Sequence, residues 1–177
     1  MVDRMTDENY TPNTPEQPVI DLVLKVFGGE IDLDPCSNSL DNPNVPAKYH
    51  ITKELAVNYN LPWKGKVYLN PPYSNPKPFL KWLCYSFENG YCTEAIALLK
   101  TGAIHNKGTG RLIEEYASAI FFWGAGKTKH SRIGFINQDG VQRNGADFDC
   151  ICVYFGSNPE KFKEVFSAYG HVMRTMQ

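Results

Sequence analysis

The chain has 177 residues, 42% of them hydrophobic and 13% aromatic, and its 18 basic and 19 acidic side chains leave a formal net charge of −1. That length and apolar content exclude a disordered chain and suit one domain with a substantial core. The near-neutral charge excludes a global field that would draw in nucleic acid, so such a partner must meet a local basic patch.

Residues 1–13, "MVDRMTDENYTPN", are polar and acidic; they read as a flexible arm rather than a signal peptide, with 14–177 forming a single domain. "TPEQPVIDLVLKVFGG" predicts a helix. Thr14 caps it, Pro15 suits its first turn, and Gly28-Gly29 closes it, with Val19, Leu22, Val23, Val26 and Phe27 as its apolar face. "EIDLDP" predicts a short strand whose carboxyl end is marked by Pro35. The polar loop "SNSLDNPNVPAK" leads to a second strand, "YHIT", and "KVYLN" is a third. "KPFLKWLCYSFENG" predicts an amphipathic helix ended by Asn89-Gly90, followed by the apolar strand "EAIALLK". "KGTGRLIEEYA" is a helix and "SAIFFW" a strand. "RIGFIN" and "DCICVYFG" flank a polar loop as a late hairpin, and "NPEKFKEVFSAYG" is the last helix. This alternation predicts a three-layer α/β sheet, with ligands beyond the carboxyl ends of its strands. No apolar stretch approaches the roughly 20 residues needed to span a bilayer. Cys36, Cys84, Cys92, Cys150 and Cys152 are odd in number and form no CxxC pair, which argues against a metal site and suits a reducing cytoplasm.

The chemistry concentrates in "VYLNPPYSNP". Pro71 and Pro72 cannot donate ladder hydrogen bonds, so the strand stops at Asn70 and continues into a stiff extended corner. The simplest reading is a proline turn with Tyr73 packed on the core. Two predicted strand ends, Asp34-Pro35 and Asn70-Pro71-Pro72-Tyr73, favour a shared ligand pocket instead. An exocyclic base amine is a poor nucleophile because its lone pair is delocalised. The Asn70 side-chain oxygen and the Pro71 carbonyl offer acceptors for its two hydrogens, and the Tyr73 face offers stacking worth about 1–3 kcal/mol. Reacting atoms must align at roughly 3–3.5 Å, which explains the rigid corner.

"NPPY" with the upstream "IDLDPCSN" resembles the phage and prophage DNA N6-adenine methyltransferase family. The resemblance continues through "TPEQPVIDLVLKVFGG", "VPAKYHITKE", "LPWKGKVYLNPPYS", "PFLKWL", "EAIALLK" and "RIGF". It implies a Rossmann-like, S-adenosylmethionine-dependent methyltransferase fold, mostly parallel with a late antiparallel hairpin, acting on DNA in a bacterial host cell. Asn70, Pro71, Pro72 and Tyr73 match the catalytic motif that grips a flipped adenine. Asp32, Asp34 and Pro35 match the turn contacting S-adenosylmethionine. Thr14-Pro15 resembles an upstream cofactor motif, with Thr11-Pro12 a second register, and Glu54 is the candidate acid near the cofactor ribose or adenine. The family's Asp-Gly-Leu-like element before "LPW" is missing, leaving Asn58 or Asn60 as substitutes.

Lys127, Lys129, His130 and Arg132 form a basic cluster, read either as a solvated loop or as DNA phosphate contacts; Lys127, Lys129 and Arg132 are the candidate contacts. Gly126-Lys127-Thr128 lacks the upstream glycine of a phosphate-binding loop, since Phe121 stands there, and "GTGRLI" fails as a dinucleotide fingerprint. Methyl transfer to RNA or to a protein glutamine, and a silent nucleic-acid-binding module, are the competing readings.

Overall fold

The computed structural model describes residues 10–57, 61–124, 126–128, 132–137, 139–143 and 148–175. In chain order it builds β1 (Tyr10–Thr11), β2 (Asn13–Thr14), β3 (Gln17–Pro18), α1 (Val19–Val26), β4 (Ile31–Ser37), β5 (Ala47–Thr52), α2 (Lys53–Ala56) and β6 (Gly65–Leu69). There follow α3 (Lys77–Glu88), β7 (Cys92–Lys100), α4 (Lys107–Tyr116), β8 (Ala119–Trp123), β9 (Phe135–Asn137), β10 (Gln142–Arg143), β11 (Cys150–Phe155), α5 (Pro159–Phe166) and β12 (Gly170–Arg174).

The first helix begins later than its sequence signals suggest. Thr14 and Pro15 lie before it, in a tight β2–β3 turn where the Thr14 hydroxyl accepts from the Gln17 amide at 3.2 Å. Pro18 has no amide to donate, so the helix starts after it. Asn13 caps it from outside, its side-chain oxygen accepting from the Ile20 and Asp21 amides at 3.1 and 3.3 Å. At the other end Gly28 and Gly29 take φ of 76° and 98°, and the Gly29 amide returns to the Leu24 carbonyl at 2.7 Å, a Schellman stop. Residues 10–13, assigned to the arm from sequence, carry β1 and the start of β2; β1 pairs antiparallel with β9.

The large sheet has seven strands in the order β12-β8-β11-β7-β6-β4-β5. Pairs β4–β5, β4–β6 and β6–β7 are parallel, while β11–β7, β11–β8 and β12–β8 are antiparallel. This mixed sheet corrects the Rossmann-like, mostly parallel fold expected from sequence. The expected late hairpin does not form either. β9 leaves for a small sheet with β1 and β10, pairing Phe135 with Arg143 across a tight turn. β11 is buried at all six positions, as a central strand must be, and inserts between β7 and β8.

Each face of the sheet has its own core. On one, α1 and α5 cover Tyr68, Ile96, Leu98 and Phe121. On the other, α3 and α4 cover Val67, Leu69, Ala97 and Val153, with Trp63 filling a corner.

Candidate functional site

β4 and β6 are parallel neighbours in register at Leu33 and Val67, so their carboxyl ends open on the same edge of the sheet. The chain goes from β4 outward to β5, then crosses back to place β6 on the other side of β4. A crevice at such a reversal is where open α/β sheets bind ligands. An open pocket of about 120 Å³ lies there. β4 contributes Asp34, Cys36 and Ser37, and the following loop contributes Asn38, Asn44 and Val45. The corner after β6 contributes Asn70, Pro71, Pro72 and Tyr73; Tyr10 and Thr11 come from β1, and Lys53 from α2.

A bulge aims Asp34. Asp34 pairs with His50 and Ser37 with Thr52, so β4 spends one more residue than β5 over this interval. The extra residue falls at Pro35-Cys36, because Pro35 has no amide for the ladder. The freed Cys36 amide donates to the Asp34 carboxylate at 3.1 Å. Asp34 is only 2% exposed. Burial pushes its pKa up to about 6, opposed by the Cys36 amide, the His50 charge and the Ser37 hydroxyl.

Asn70 is the chemical centre of the corner. Its side-chain oxygen is buried and accepts no hydrogen bond, an arrangement that costs stability unless a ligand supplies the donor. The Thr11 hydroxyl is buried and unpartnered in the same pocket. Tyr73 packs edge-on against Phe148, with ring centroids 4.9 Å apart. Its hydroxyl is also buried, which pushes its pKa well above the usual range, and the neighbouring Cys150 thiol does not reach hydrogen-bond geometry. The Lys100 ammonium, at the end of β7, lies 4.0 Å from the Phe148 ring centre and 6.0 Å from that of Tyr73.

Other sequence-predicted residues lie elsewhere. Asp32 sits near the start of β4, two extended residues or roughly 7 Å behind Asp34. There it accepts from the Lys66 amide at 2.8 Å and pairs with Lys48 at 3.0 Å. Burial alone would raise its pKa, yet the Lys66 amide and the Lys48 ammonium hold it below the usual carboxylate value. Pro35 is buried inside the strand rather than at its end. Thr14 is buried beside Gly134, whose amide donates to the Gln17 side chain at 2.7 Å, and Pro15 is exposed. Glu54 is on the exposed side of α2, 3.9 Å from Lys53. Of the three segments expected at the cofactor, Thr14-Pro15, Asp32–Pro35 and Glu54, only Asp32–Pro35 reaches the pocket, through Asp34.

The basic cluster is also split. The Lys127 ammonium donates to the Ser167 carbonyl at 2.6 Å and the Gly170 carbonyl at 3.4 Å. Arg132 is exposed, with its Nε 3.8 Å from Asp149. Lys129, Asn58 and Asn60 lie outside the described residues. The sequence reading passed over Tyr10, Lys53, Lys100 and Phe148; only Thr11, through the second Thr-Pro register, had a signal.

Among the described residues there is no cluster of three His, Cys, Asp or Glu side chains able to hold a metal, and no helix is long and apolar enough to cross a membrane. Compared with models of known protein families the chain matches none, and a search of curated proteins finds no match.

Proposed function

We propose that the chain transfers a methyl group from S-adenosylmethionine to the N6 amine of an adenine in DNA, with the base flipped out of its stack. The observation that carries this reading is the buried, unpartnered Asn70 oxygen at the head of the Pro-Pro corner, in the pocket that also holds Asp34. That oxygen accepts one hydrogen of the target amine, which favours a pyramidal nitrogen with a localised lone pair. Tyr73 offers its ring to the base. The residues present suit the cofactor. Asp34, Ser37, Asn38 and Thr11 supply acceptors for a ligand rich in cationic and hydroxyl groups, and would hold it beside the corner. When bound, it would supply an electrophilic methyl on a sulfonium, toward which the Asn70 oxygen would hold the amine, with the displaced amine proton left to water. Rigid placement of the two reactants is the chain's main contribution to rate. The motif set "IDLDPCSN" and "NPPYS" supports a phage- or prophage-encoded modification enzyme of the bacterial cytoplasm.

Radiolabelled methyl transfer to DNA, RNA and protein, run side by side, tests the proposal. Label in the adenine of DNA is the expected result. Label confined to RNA or to glutamine moves the acceptor, and no label with a folded protein rejects the reaction.

A further inference from the structure

The outward side of α3 is not that of an ordinary surface helix. Phe79, Leu80, Leu83 and Cys84 are buried against the sheet, so charge is expected opposite them. Tyr85 stands there instead, flanked by Trp82, which is partly buried against the core. Their rings stack with centroids 4.9 Å apart and planes 18° apart, and Tyr85 is 45% exposed. The Trp82 indole donates to the Leu61 carbonyl at 2.9 Å, which fixes the ring edge and leaves the platform rigid. Lys77 and Lys81 precede Tyr85 by two turns and one turn on the same stripe. With Val57 and Pro78 these residues line a shallow, largely apolar groove of about 510 Å³. Among the described residues, no acidic side chain lines it and neither lysine makes an ion pair.

No residue lines both the groove and the pocket, but two short segments connect them. α2 sends Lys53 into the pocket, and Val57, its carboxyl cap, lines the groove. On the other side, three residues separate the corner ending at Tyr73 from Lys77 and Pro78 at the start of α3.

We propose that this groove holds single-stranded DNA next to the flipped adenine, with bases stacked on the Trp82–Tyr85 platform and phosphates on Lys77 and Lys81. The inference rests on the reading of the chain as an enzyme acting on DNA. A stack of two rings accepts any base but needs one that has left its duplex partners. Two unpaired ammoniums beside the rings match a phosphate chain; a proline-rich peptide would use the rings and leave both charges idle.

The test uses oligothymidylate, which contains no adenine and so does not engage the pocket of the proposed reaction. Trp63 and Trp123 are 1% and 8% exposed, so quenching of tryptophan emission reports on Trp82. Oligothymidylate should quench that emission, and anisotropy of a labelled strand should give an affinity that falls with salt. Trp82→Ala and Tyr85→Ala should each weaken binding roughly 5- to 150-fold, while Trp82→Phe keeps most of it. Lys77→Ala and Lys81→Ala should each reduce the log–log salt slope by about 0.7. The proposal is overturned if folded protein shows no quenching, if a blunt duplex of equal length quenches as well, or if Trp82→Ala binds like the parent. Quenching by a proline-rich peptide but not by oligothymidylate overturns it too. Loss of the groove with adenine methylation intact leaves the reaction standing; oligothymidylate binding without methylation leaves the groove standing.

Discussion

Asp34 and Asn70 face one pocket from adjacent parallel strands, and neither is placed for stability. The first is a carboxyl buried in spite of its charge; the second holds an oxygen buried without a donor. Two such costs side by side mark a region shaped for a ligand rather than for the apo fold.

Asn70→Ala should separate activity from folding. Removing an unpartnered oxygen costs the fold no hydrogen bond, so thermal melting should hold or rise. If the oxygen grips the amine in the transition state, kcat should drop about 10²–10³-fold. Asn70→Asp, which still accepts, should lose less. Parent-rate methylation by Asn70→Ala would show that the corner is only a turn.

Thr11 and Thr14 should behave as opposites. Thr11→Val removes an unpartnered hydroxyl, so it should leave stability intact and weaken S-adenosylmethionine binding. Thr14→Val removes the acceptor of the Gln17 amide and should cost about 1 kcal/mol of stability with cofactor affinity unchanged. The parent at about 100 times Kd of cofactor should gain roughly 2.7 kcal/mol. Calorimetric titration and melting curves of both variants decide the register.

Asp34 sets a pH dependence with a definite sign. Its carboxyl titrates near 3.8 when unfolded and at about 6 when folded. The folded state therefore holds the proton longer, and the associated stability, fully present below about pH 3.8, is lost as pH rises through about 6. Two units correspond to about 3 kcal/mol. Asp34→Asn should flatten that decline and melt above the parent at pH 7–8. Urea unfolding at pH 4, 5, 6 and 7.5 measures it, and parallel curves for the two proteins would remove the assignment.

Lys127 should act on the fold rather than on DNA. Its ammonium bonds the carbonyl of Ser167, the carboxyl cap of α5, and that of Gly170, the first residue of β12. Lys127→Met should cost about 0.5–1 kcal/mol, as charge lost from a helix carboxyl end does. The salt slope of DNA binding should not change; a fall of about one unit would return Lys127 to the phosphates.

What the sequence displayed and what it hid follow from range. α3 and β7 were legible because a 3.6-residue period and a continuous apolar run are local signals. The NPPY corner was legible because two prolines dictate their own geometry. β1, β2 and β3 are two residues each, too short to carry a period, and exist only through their partners. The partners of β11 were hidden because "RIGFIN" is closer along the chain than β7 or β8, while sheet order is set by burial on both sides. Asp32 and Asp34 looked equivalent in "IDLDP". Only the bulge at Pro35-Cys36 and the amide of Lys66 distinguish a pocket acid from a bridge.

The insertion of β11 between β7 and β8 also governs when the sheet can exist. Both neighbours of β8, β11 and β12, are made after it. While the ribosome is still adding the residues up to Phe155, Ala119–Trp123 is an apolar strand with no ladder on either side. β7 meanwhile has only β6. Such a segment invites pairing with another nascent chain. The parallel half can assemble early from its own loops and helices, whereas the other half waits for long-range closure, which is slow. Slower synthesis prolongs that exposure, and a holdase that shields "AIFFW" shortens it.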